Sequence, residues 1–411
     1  MTNKYQTISF IQPSRNNLKY LKWSYESIRK NLGYTHEICM ADDFSDDGTW
    51  EWMQEISEKD INVKIHRNEG PTRLGHTILY DTLINDYATN DVVMIYHADM
   101  YACPRLDEEV LRHIEPGVVV SGTRIEPPLH PKGPEKILKD FGIEPEEFDE
   151  LGLMEFLNHE VMNQYGTGIT TEGIFAPWAI LKSDWDFIGG HDPIFAPQSK
   201  EDSDIFNRFH LAGFKFKQTW GGFVYHMTCR GSRFKDGAMR NPAGQVFMNG
   251  RESDEWLIQN KKSTREFIRK WGHFVKHDEM MKPIVPPKYD IGMVAYNCTK
   301  ELLSELEPWC SKIYLDLKDS DCIFYYKNDE QPKTSTDLDE KIKLYGNSKI
   351  SELHDICIEF DCNKLNATNF QHIVNLSEIL QDSGEIGEME LDIFKLYISK
   401  LDTHEKELIQ L

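Results

Sequence analysis

The sequence predicts a mixed α/β protein with a mainly parallel β-sheet flanked by helices, followed by a second, small α/β domain. Three observations support this fold class. Short β-rich runs alternate with helical segments over the first hundred residues, a Pro-rich stretch interrupts the chain at 283–287, and the same alternation resumes beyond it. Strands separated by helices of about 10–15 residues are typical of βαβ units, and such units build parallel sheets.

The first domain is predicted over residues 1–282. Residues 126–160 are rich in Pro, Gly and Glu and are interpreted as an insertion or mobile loop with one short acidic helix. Strand runs are predicted at 7–12, 37–41, 63–66, 91–96, 215–219 and 222–227. Apolar residues at helical spacing predict helices at 17–31, 48–57, 73–84, 201–213 and 252–271.

The Pro-rich segment 283–288 is predicted to be a linker. Residues 289–411 are predicted to form the small α/β domain, for which no motif indicates a role. Its predicted strands are 289–296, 311–317, 322–326 and 355–360, and its predicted helices include 300–309 and 370–380.

Composition narrows the class of partner. Hydrophobic residues make up 40% and charged residues 28% of the 411 positions, which is typical of a globular protein with a full core. The formal net charge of −22 disfavours a nucleic-acid partner, because the chain would repel a phosphate backbone. The eight cysteines are scattered without a C-x-x-C pair, which indicates reduced thiols.

Targeting signals were sought at the N-terminus and along the chain. No segment reaches the ~20 apolar residues of a transmembrane helix, and the N-terminus has no signal-peptide core. We therefore expect no transmembrane segment and a cytoplasmic location.

An acidic segment follows the second predicted strand, reading ADDFSDDGT over 41–49. Asp42 and Asp43 stand at the strand end, where parallel sheets bind their ligands, and their carboxylates could accept hydrogen bonds from a base and a ribose. Asp and Ser can equally cap the following helix. The segment alone leaves both interpretations open.

A second motif, His97-Ala98-Asp99, ends the apolar run 91–96. Residues two apart in an extended chain point to the same side, so the imidazole and the carboxylate could share a metal ion. A carboxylate suits Mg²⁺ or Mn²⁺, and Mn²⁺ accepts an imidazole more readily. The alternative is a surface turn after a buried strand.

Two later signals are weaker. Glu201 and Asp202 open a helix, where acidic residues favour the helix dipole or could supply a general base. His226 lies within an aromatic strand, where a histidine is more often a core residue than a ligand.

The order of these motifs resembles a known family. Residues 7–230 resemble the family 2 glycosyltransferases of the GT-A (nucleotide-diphospho-sugar transferase-like) fold. The signature of that family is a DDxSxDGT-type segment, a DxD motif, a Gly-Gly turn, an ED pair and a late histidine. This chain has the segment 42–49, the DxD-like His97-Ala98-Asp99, Gly189-Gly190, Glu201-Asp202 and His226.

The resemblance implies a role for each matching residue. Asp99 and His226 would hold Mn²⁺ or Mg²⁺, and Asp202 would be the general base. His97 stands where the family has the first aspartate of DxD, which puts donor geometry and metal preference in question. The implied donor-binding residues are Pro13, Arg15, Asp42, Asp43, His97, Ala98, Asp99 and Arg230. The implied acceptor-binding residues are Glu172, Trp178 and Glu201.

The implied function is a metal-dependent, inverting glycosyltransferase. It would move a sugar from a UDP- or GDP-sugar to a glycan, lipid or protein acceptor. The first alternative is a catalytically silent module that binds a nucleotide sugar or a glycan, with His97 marking decay of the metal site. The second is a nucleotidyltransferase, which would need a Gly- and Lys-rich loop after the first strand, where this chain has PSRNN at 13–17.

Overall fold

The structure is a computed structural model, and it describes residues 4–161, 168–230, 233–250, 252–345 and 350–411. It divides into two compact units. The first comprises 1–259, 277–283 and residue 411, and the second comprises 260–276 and 284–410. The domain limits expected from the sequence, 1–282 and 289–411, stay a prediction.

The first unit is built on a ten-stranded sheet in the order β3-β2-β1-β4-β9-β6-β10-β5, with β7 paired to β6 and β8 to β10. Its strands are β1 Ser9–Ser14, β2 Glu37–Asp43, β3 Val63–Asn68, β4 Val92–Ile95, β5 Met100–Ala102, β6 Val118–Glu126, β7 Lys136–Leu138, β8 Thr170–Thr171, β9 Trp178–Leu181 and β10 Lys215–His226. A separate hairpin pairs β11 Ala238–Arg240 with β12 Val246–Met248.

The helices predicted for the first unit are present, whereas Leu106–His113 and Lys182–Ile188 are helices that the sequence did not predict. The π-helical turn Leu83–Tyr87 continues the helix Gly75–Thr82. The α-helices are Leu18–Asn31, Thr49–Lys59, Gly75–Thr82, Leu106–His113, Glu150–Phe156, Lys182–Ile188, Glu201–Leu211 and Asp254–Trp271. The last of these begins within the first unit and continues into the residues of the second.

The sheet is mainly parallel, as predicted. β1 pairs in parallel with β2 and β4, and β2 with β3. Every residue of β1, β2 and β4 is buried, as expected of parallel strands that are covered on both faces. The carboxyl ends of these strands therefore lie along one edge of the sheet, where a ligand site is expected.

The two strands predicted at 215–219 and 222–227 are in fact one. β10 runs unbroken from Lys215 to His226, with a register shift against β6 between Thr219 and Phe223. A Cβ added at Gly221 would lie 2.6 Å from a carboxylate oxygen of Glu109. The glycines that suggested a turn in the sequence therefore accommodate a β-bulge and a close neighbour.

The insertion predicted at 126–160 contains the expected short acidic helix, Glu150–Phe156. Asp149 caps it by accepting a hydrogen bond from the backbone N–H of Gly152. Leu153 is fully buried in a cluster with Trp23 and Tyr225. The described part of the insertion is thus packed against the first unit's core.

The second unit has a six-stranded sheet in the order β15-β14-β13-β16-β18-β17, of which the first four are parallel. The strands are β13 Ile291–Tyr296, β14 Lys312–Leu315, β15 Ile342–Leu344, β16 Ile356–Asp361, β17 Gly387–Leu391 and β18 Phe394–Ile398. Its helices are Lys300–Leu306, Ser320–Glu330, Leu338–Lys341, Phe370–Val374 and Leu376–Ser383.

One prediction for the second unit is wrong. Residues 322–326, predicted as a strand from their apolar and aromatic run, lie in the helix Ser320–Glu330. Only Ile323 and Tyr326, three apart, are buried on this helix, whereas Phe324 and Tyr325 are exposed. The helical period of burial decides the structure, although local β-propensity points the other way.

A membrane-crossing helix was also sought. Among the described residues, none of the helices has both the length and the apolar character needed to cross a bilayer.

Candidate metal and donor site

The candidate site lies where β4 ends and the chain turns into β5. The backbone N–H of Tyr96 donates to the carbonyl of Ile11 at 3.1 Å, and the N–H of Met100 donates to the carbonyl of His97 at 3.3 Å. These bonds shape a tight turn that contains His97, Ala98 and Asp99. The turn thus presents its side chains at the carboxyl edge of the sheet.

The final residue of β10 completes the group. His226 pairs with Met100 in the antiparallel contact between β10 and β5, which brings its ring beside the turn. Its Nε2 lies 3.4 Å from Oδ1 of Asp99, and its ring centroid is 5.6 Å from that of His97. Among the residues that the structure describes, His97, Asp99 and His226 form the one group of three that could hold a metal ion, with ligand atoms within 4.8 Å of one another.

The charge states of the three groups follow from their burial and from one another. Burial would lower the pKa of His226, but the carboxylates of Asp99 and Glu126 outweigh it and raise the pKa to about 9. Burial, together with the nearby His226, lowers the pKa of His97 to about 3. Burial opposes ionisation of Asp99, yet the two imidazoles hold its pKa below the usual range. Asp99 is therefore ionised at neutral pH and His97 is neutral, as ligands require, whereas His226 is protonated and would have to lose the proton on Nε2 when a metal binds.

Two neighbours of the site were not predicted. Glu126 ends β6 and its Oε1 lies 2.8 Å from Nδ1 of His226. His76 stacks on His97, with ring centroids 6.4 Å apart and an interplanar angle of 13°. Glu126 could have been predicted from the sequence, because a carboxylate at the end of an apolar strand indicates a possible site residue. No sequence signal indicated His76, because nothing in the pattern of its helix shows that its ring would lie beside that of His97.

The two carboxylates at the end of β2, Asp42 and Asp43, make different contacts. Asp43 accepts hydrogen bonds from the backbone N–H groups of Leu74 and Gly75 at 3.1 and 2.9 Å and from the Asn68 amide at 2.6 Å. It therefore holds the start of the helix Gly75–Thr82. In Asp42, Oδ1 accepts from the N–H of Ser45 at 3.1 Å.

The second carboxylate oxygen of Asp42 has fewer hydrogen-bond partners than the oxygens of Asp43. Its Oδ2 accepts no hydrogen bond from the described residues and lies 3.5 Å from Nε of Arg67. Burial raises the pKa of this carboxyl. Of the two aspartates, Asp42 is thus the one with an oxygen that accepts no hydrogen bond from the described residues, although its side chain is fully buried.

The remaining predicted donor residues are dispersed around this edge. Pro13 lies in β1 beside Ala41 of β2. The guanidinium of Arg15 lies 4.4 Å from the ring centroid of Phe44. Arg230 forms an ion pair of 3.1 Å with Glu144.

The acidic pair at the start of the helix Glu201–Leu211 is buried and lies within the electrostatic influence of His191. Burial raises the pKa of Glu201 and of Asp202, and mutual repulsion adds to the effect on Glu201. His191 Nδ1 lies 2.8 Å from Oδ1 of Asp81. Burial opposes the charged form of His191, but the bond to Asp81 outweighs it and raises its pKa. Neither Asp81 nor His191 was predicted from the sequence as a site residue.

Two predicted acceptor residues lie elsewhere. Glu172 is exposed and pairs with Lys282 at 2.5 Å. Trp178 is fully buried in β9 and its ring packs 6.2 Å from that of Trp185. The structure does not bring these two side chains together with Glu201.

Comparison with known proteins identifies the first part of the chain. Residues 9–169 match the family model described as Glycosyl transferase family 2. The resemblance predicted from the motifs is thereby confirmed for this segment, which contains β1 to β7 and the His97-Ala98-Asp99 turn. The predicted fold class is confirmed as well, in the mixed, mainly parallel sheet and the additional C-terminal sheet. No curated protein sequence matches the chain.

Solved structures of low identity also resemble this chain. The crystal structure of GalNAc-T7 with UDP, GalNAc and Mn²⁺ shares 13% identity with a TM-score of 0.44, over 65% of this chain and 48% of that one. The mannosyltransferase PcManGT from Pyrobaculum calidifontis, in complex with GDP-Man and Mn²⁺, shares 17% identity with a TM-score of 0.38, over 55% and 58%. The chain thus spans about half of the length of these proteins.

Proposed function

We propose that the protein is a metal-dependent, inverting glycosyltransferase that moves a sugar from a nucleotide-sugar donor to a hydroxyl of a glycan, lipid or protein acceptor. One observation carries the proposal. His97, Asp99 and His226 place their ligand atoms within 4.8 Å of one another, and the first two belong to the segment that matches the family 2 model.

The donor set favours Mn²⁺ over Mg²⁺. Two imidazoles and one carboxylate are a mixed nitrogen and oxygen set, whereas Mg²⁺ prefers oxygen ligands and water. When bound, the metal would offset the charge that develops on the nucleoside diphosphate as it leaves. Replacement of the first aspartate of DxD by His97 is thus compatible with metal binding, because His97 is neutral at physiological pH.

The nucleoside of the donor is assigned to the edge formed by β1 and β2. Asp42 supplies the acceptor oxygen that the described residues leave free, so it would accept a hydrogen bond from an N–H of the base or from the ribose. Asp43 would act indirectly, because its oxygens already hold Leu74 and Gly75. A base that offers an N–H donor, such as uracil or guanine, fits a lone carboxylate oxygen.

The acceptor hydroxyl is assigned to the acidic pair. Asp202 would take the proton from the hydroxyl as it attacks the anomeric carbon, and Glu201 would accept or donate a hydrogen bond beside it. Two adjacent buried carboxyls do not both ionise readily, so the pair shares its protons. Burial raises the pKa of Asp202 and of Glu201, and the positive charge that His191 can carry opposes that rise, which would favour the ionised base.

The donor site can be tested by thermal stability of the full chain with UDP, GDP, CDP, ADP and dTDP, each with Mn²⁺, Mg²⁺ or EDTA. Binding to the native state raises the melting temperature by mass action. We expect one nucleotide to stand out and to need Mn²⁺. Asp99→Asn should abolish the metal-dependent shift, and Asp202→Asn should keep it, since Asp202 is assigned to the acceptor.

The same pair of variants tests catalysis once the nucleotide is known. With the matching nucleotide sugar, Asp202→Asn should lose transfer while it still binds donor. NMR of the product should show an anomeric configuration opposite to that of the donor. A well-folded protein that binds none of the five nucleotides would contradict the proposal and favour a glycan-binding module.

A further inference from the structure

We infer that Glu126 is a positioning residue for the metal site: its carboxylate fixes the ring of His226 so that Nε2 is the nitrogen presented to the metal. This inference rests on the metal site of the proposed function. Glu126 and His226 are the last residues of β6 and β10. The two strands are parallel and in register at Ile125 and Tyr225, so the next residues of both strands emerge together at the edge of the sheet.

The contact is short and shielded from water. Oε1 of Glu126 lies 2.8 Å from Nδ1 of His226, and 1% of the Glu126 side chain is exposed. An ionised carboxylate can only accept hydrogen bonds, so Nδ1 must be the donor in this contact. The opposite nitrogen, Nε2, lies 3.4 Å from Asp99 Oδ1 and faces the candidate metal ligands.

Two cations hold Glu126 in place. Arg124 lies 3.0 Å from its Oε1, and Lys136 lies 3.3 Å from its Oε2. Both cations are themselves buried, with 6% and 8% of their side chains exposed. This arrangement keeps the carboxylate charged and stops it from turning towards the metal group.

The resulting chain of contacts, carboxylate to imidazole to metal, is a recurrent way of orienting a histidine ligand. Loss of such a partner typically weakens metal affinity by about 10–100-fold. The two residues after Glu126 are Pro127 and Pro128. Glu126 is therefore the acidic residue at the end of β6. Glu126 is therefore assigned to the metal site although it is not a ligand.

Glu135 offers a matched control. It lies 3.5 Å from Arg124 and 3.7 Å from Lys136, so it shares both cations with Glu126. Its side chain is 9% exposed, and no contact to His226 is found among the described residues. Glu135→Gln thus removes the same charge from the same network and leaves the imidazole contact intact.

The experiment measures Mn²⁺ affinity of the full-length chain by electron paramagnetic resonance, for the wild type, Glu126→Gln and Glu135→Gln. We expect Glu126→Gln to weaken binding by about 10–100-fold and Glu135→Gln to stay close to the wild type. Equal weakening by both variants, or no change in Glu126→Gln, would overturn the inference. Failure of the wild type to bind Mn²⁺ would instead overturn the metal site of the proposed function, and the inference with it.

A second measurement needs no variant of Glu126, in case that variant does not fold. Zn²⁺ serves as a diamagnetic substitute for Mn²⁺, and ¹⁵N-labelled histidine rings are followed by NMR. His226, one of fifteen histidines, is assigned by its loss in His226→Gln. We expect its proton on Nδ1 and the metal on Nε2; the reverse arrangement would overturn the inference.

Discussion

Glu307 supports a clear stability prediction for the second unit. It is fully buried and accepts from Arg269 at 2.7 Å and from the hydroxyl of Tyr326 at 2.9 Å. Arg265 and Lys341 lie 3.3 and 3.2 Å from its carboxylate. Glu307→Gln would leave three cations in the interior without their shared counter-charge, and that loss is expected to destabilise the unit.

The magnitude follows from the pKa of the carboxyl. Burial would raise the pKa of Glu307, but Lys341 and Arg269 outweigh it and lower the pKa from 4.5 to about 2. Each tenfold change in proton affinity is worth about 1.4 kcal/mol, so the ionised carboxylate contributes about 3 kcal/mol at neutral pH. Because the folded pKa is the lower one, this contribution is complete above about pH 5 and disappears as the pH falls towards 2.

The assay is urea unfolding of the full chain at several pH values, with amide hydrogen exchange in β13 and β16 reporting on the second unit. Glu307→Gln should lower the free energy of unfolding by about 3 kcal/mol at pH 7, and the difference from the wild type should shrink below pH 5. Glu330→Gln is the control, since Glu330 pairs with Arg265 at 2.9 Å and Arg269 at 2.8 Å but is 12% exposed. An equal loss in the control, or a difference that does not change with pH, would refute the reasoning.

Three further predictions concern the first unit. Asp43→Ala should lower the free energy of unfolding of the first unit in urea by about 2 kcal/mol, because the substitution removes the acceptor for the N–H groups of Leu74 and Gly75 at a helix start. A loss below about 0.5 kcal/mol would contradict this cap. Arg208→Lys should lower the free energy of unfolding by about 3 kcal/mol in the same assay. The guanidinium donates to Asp204 at 3.0 Å and to the carbonyl of Ile188 at 2.9 Å, and a lysine cannot reach both acceptors. Gly190→Ala should cost more than about 1 kcal/mol, since φ is +76° and the new Cβ would lie 2.3 Å from Asp81 Oδ2; an unchanged melting temperature would count against it.

Local patterns predicted much of the first unit. The first four strands and the helices between them were found because each carries its own apolar period over consecutive residues. The same holds for His97 and Asp99, which follow a buried strand directly. The wrong strand at 322–326 had the residue types of a strand, and only the alternation of buried Ile323 and Tyr326 with exposed Phe324 distinguishes the helix.

Contacts between distant residues could not be predicted in this way. Glu126 and His226 are 100 positions apart, and Asp81 and His191 are 110 apart. The first pair forms because the ends of β6 and β10 lie side by side, and the second forms because the helix Gly75–Thr82 packs against the turn that contains His191. The strand order places β9 between β4 and β6, and no local signal in a single sequence specifies such an insertion.

The helix Asp254–Trp271 has a consequence for how this protein can be divided. Its residues from 260 onward belong to the second unit, and the chain then returns to the first unit at 277–283. Arg265 and Arg269, which neutralise Glu307, are therefore encoded before the Pro-rich segment rather than after it. A gene fragment that starts at that segment would encode Glu307 and Lys341 without these two arginines. Recombination or domain grafting would therefore have to carry the helix along with the second unit.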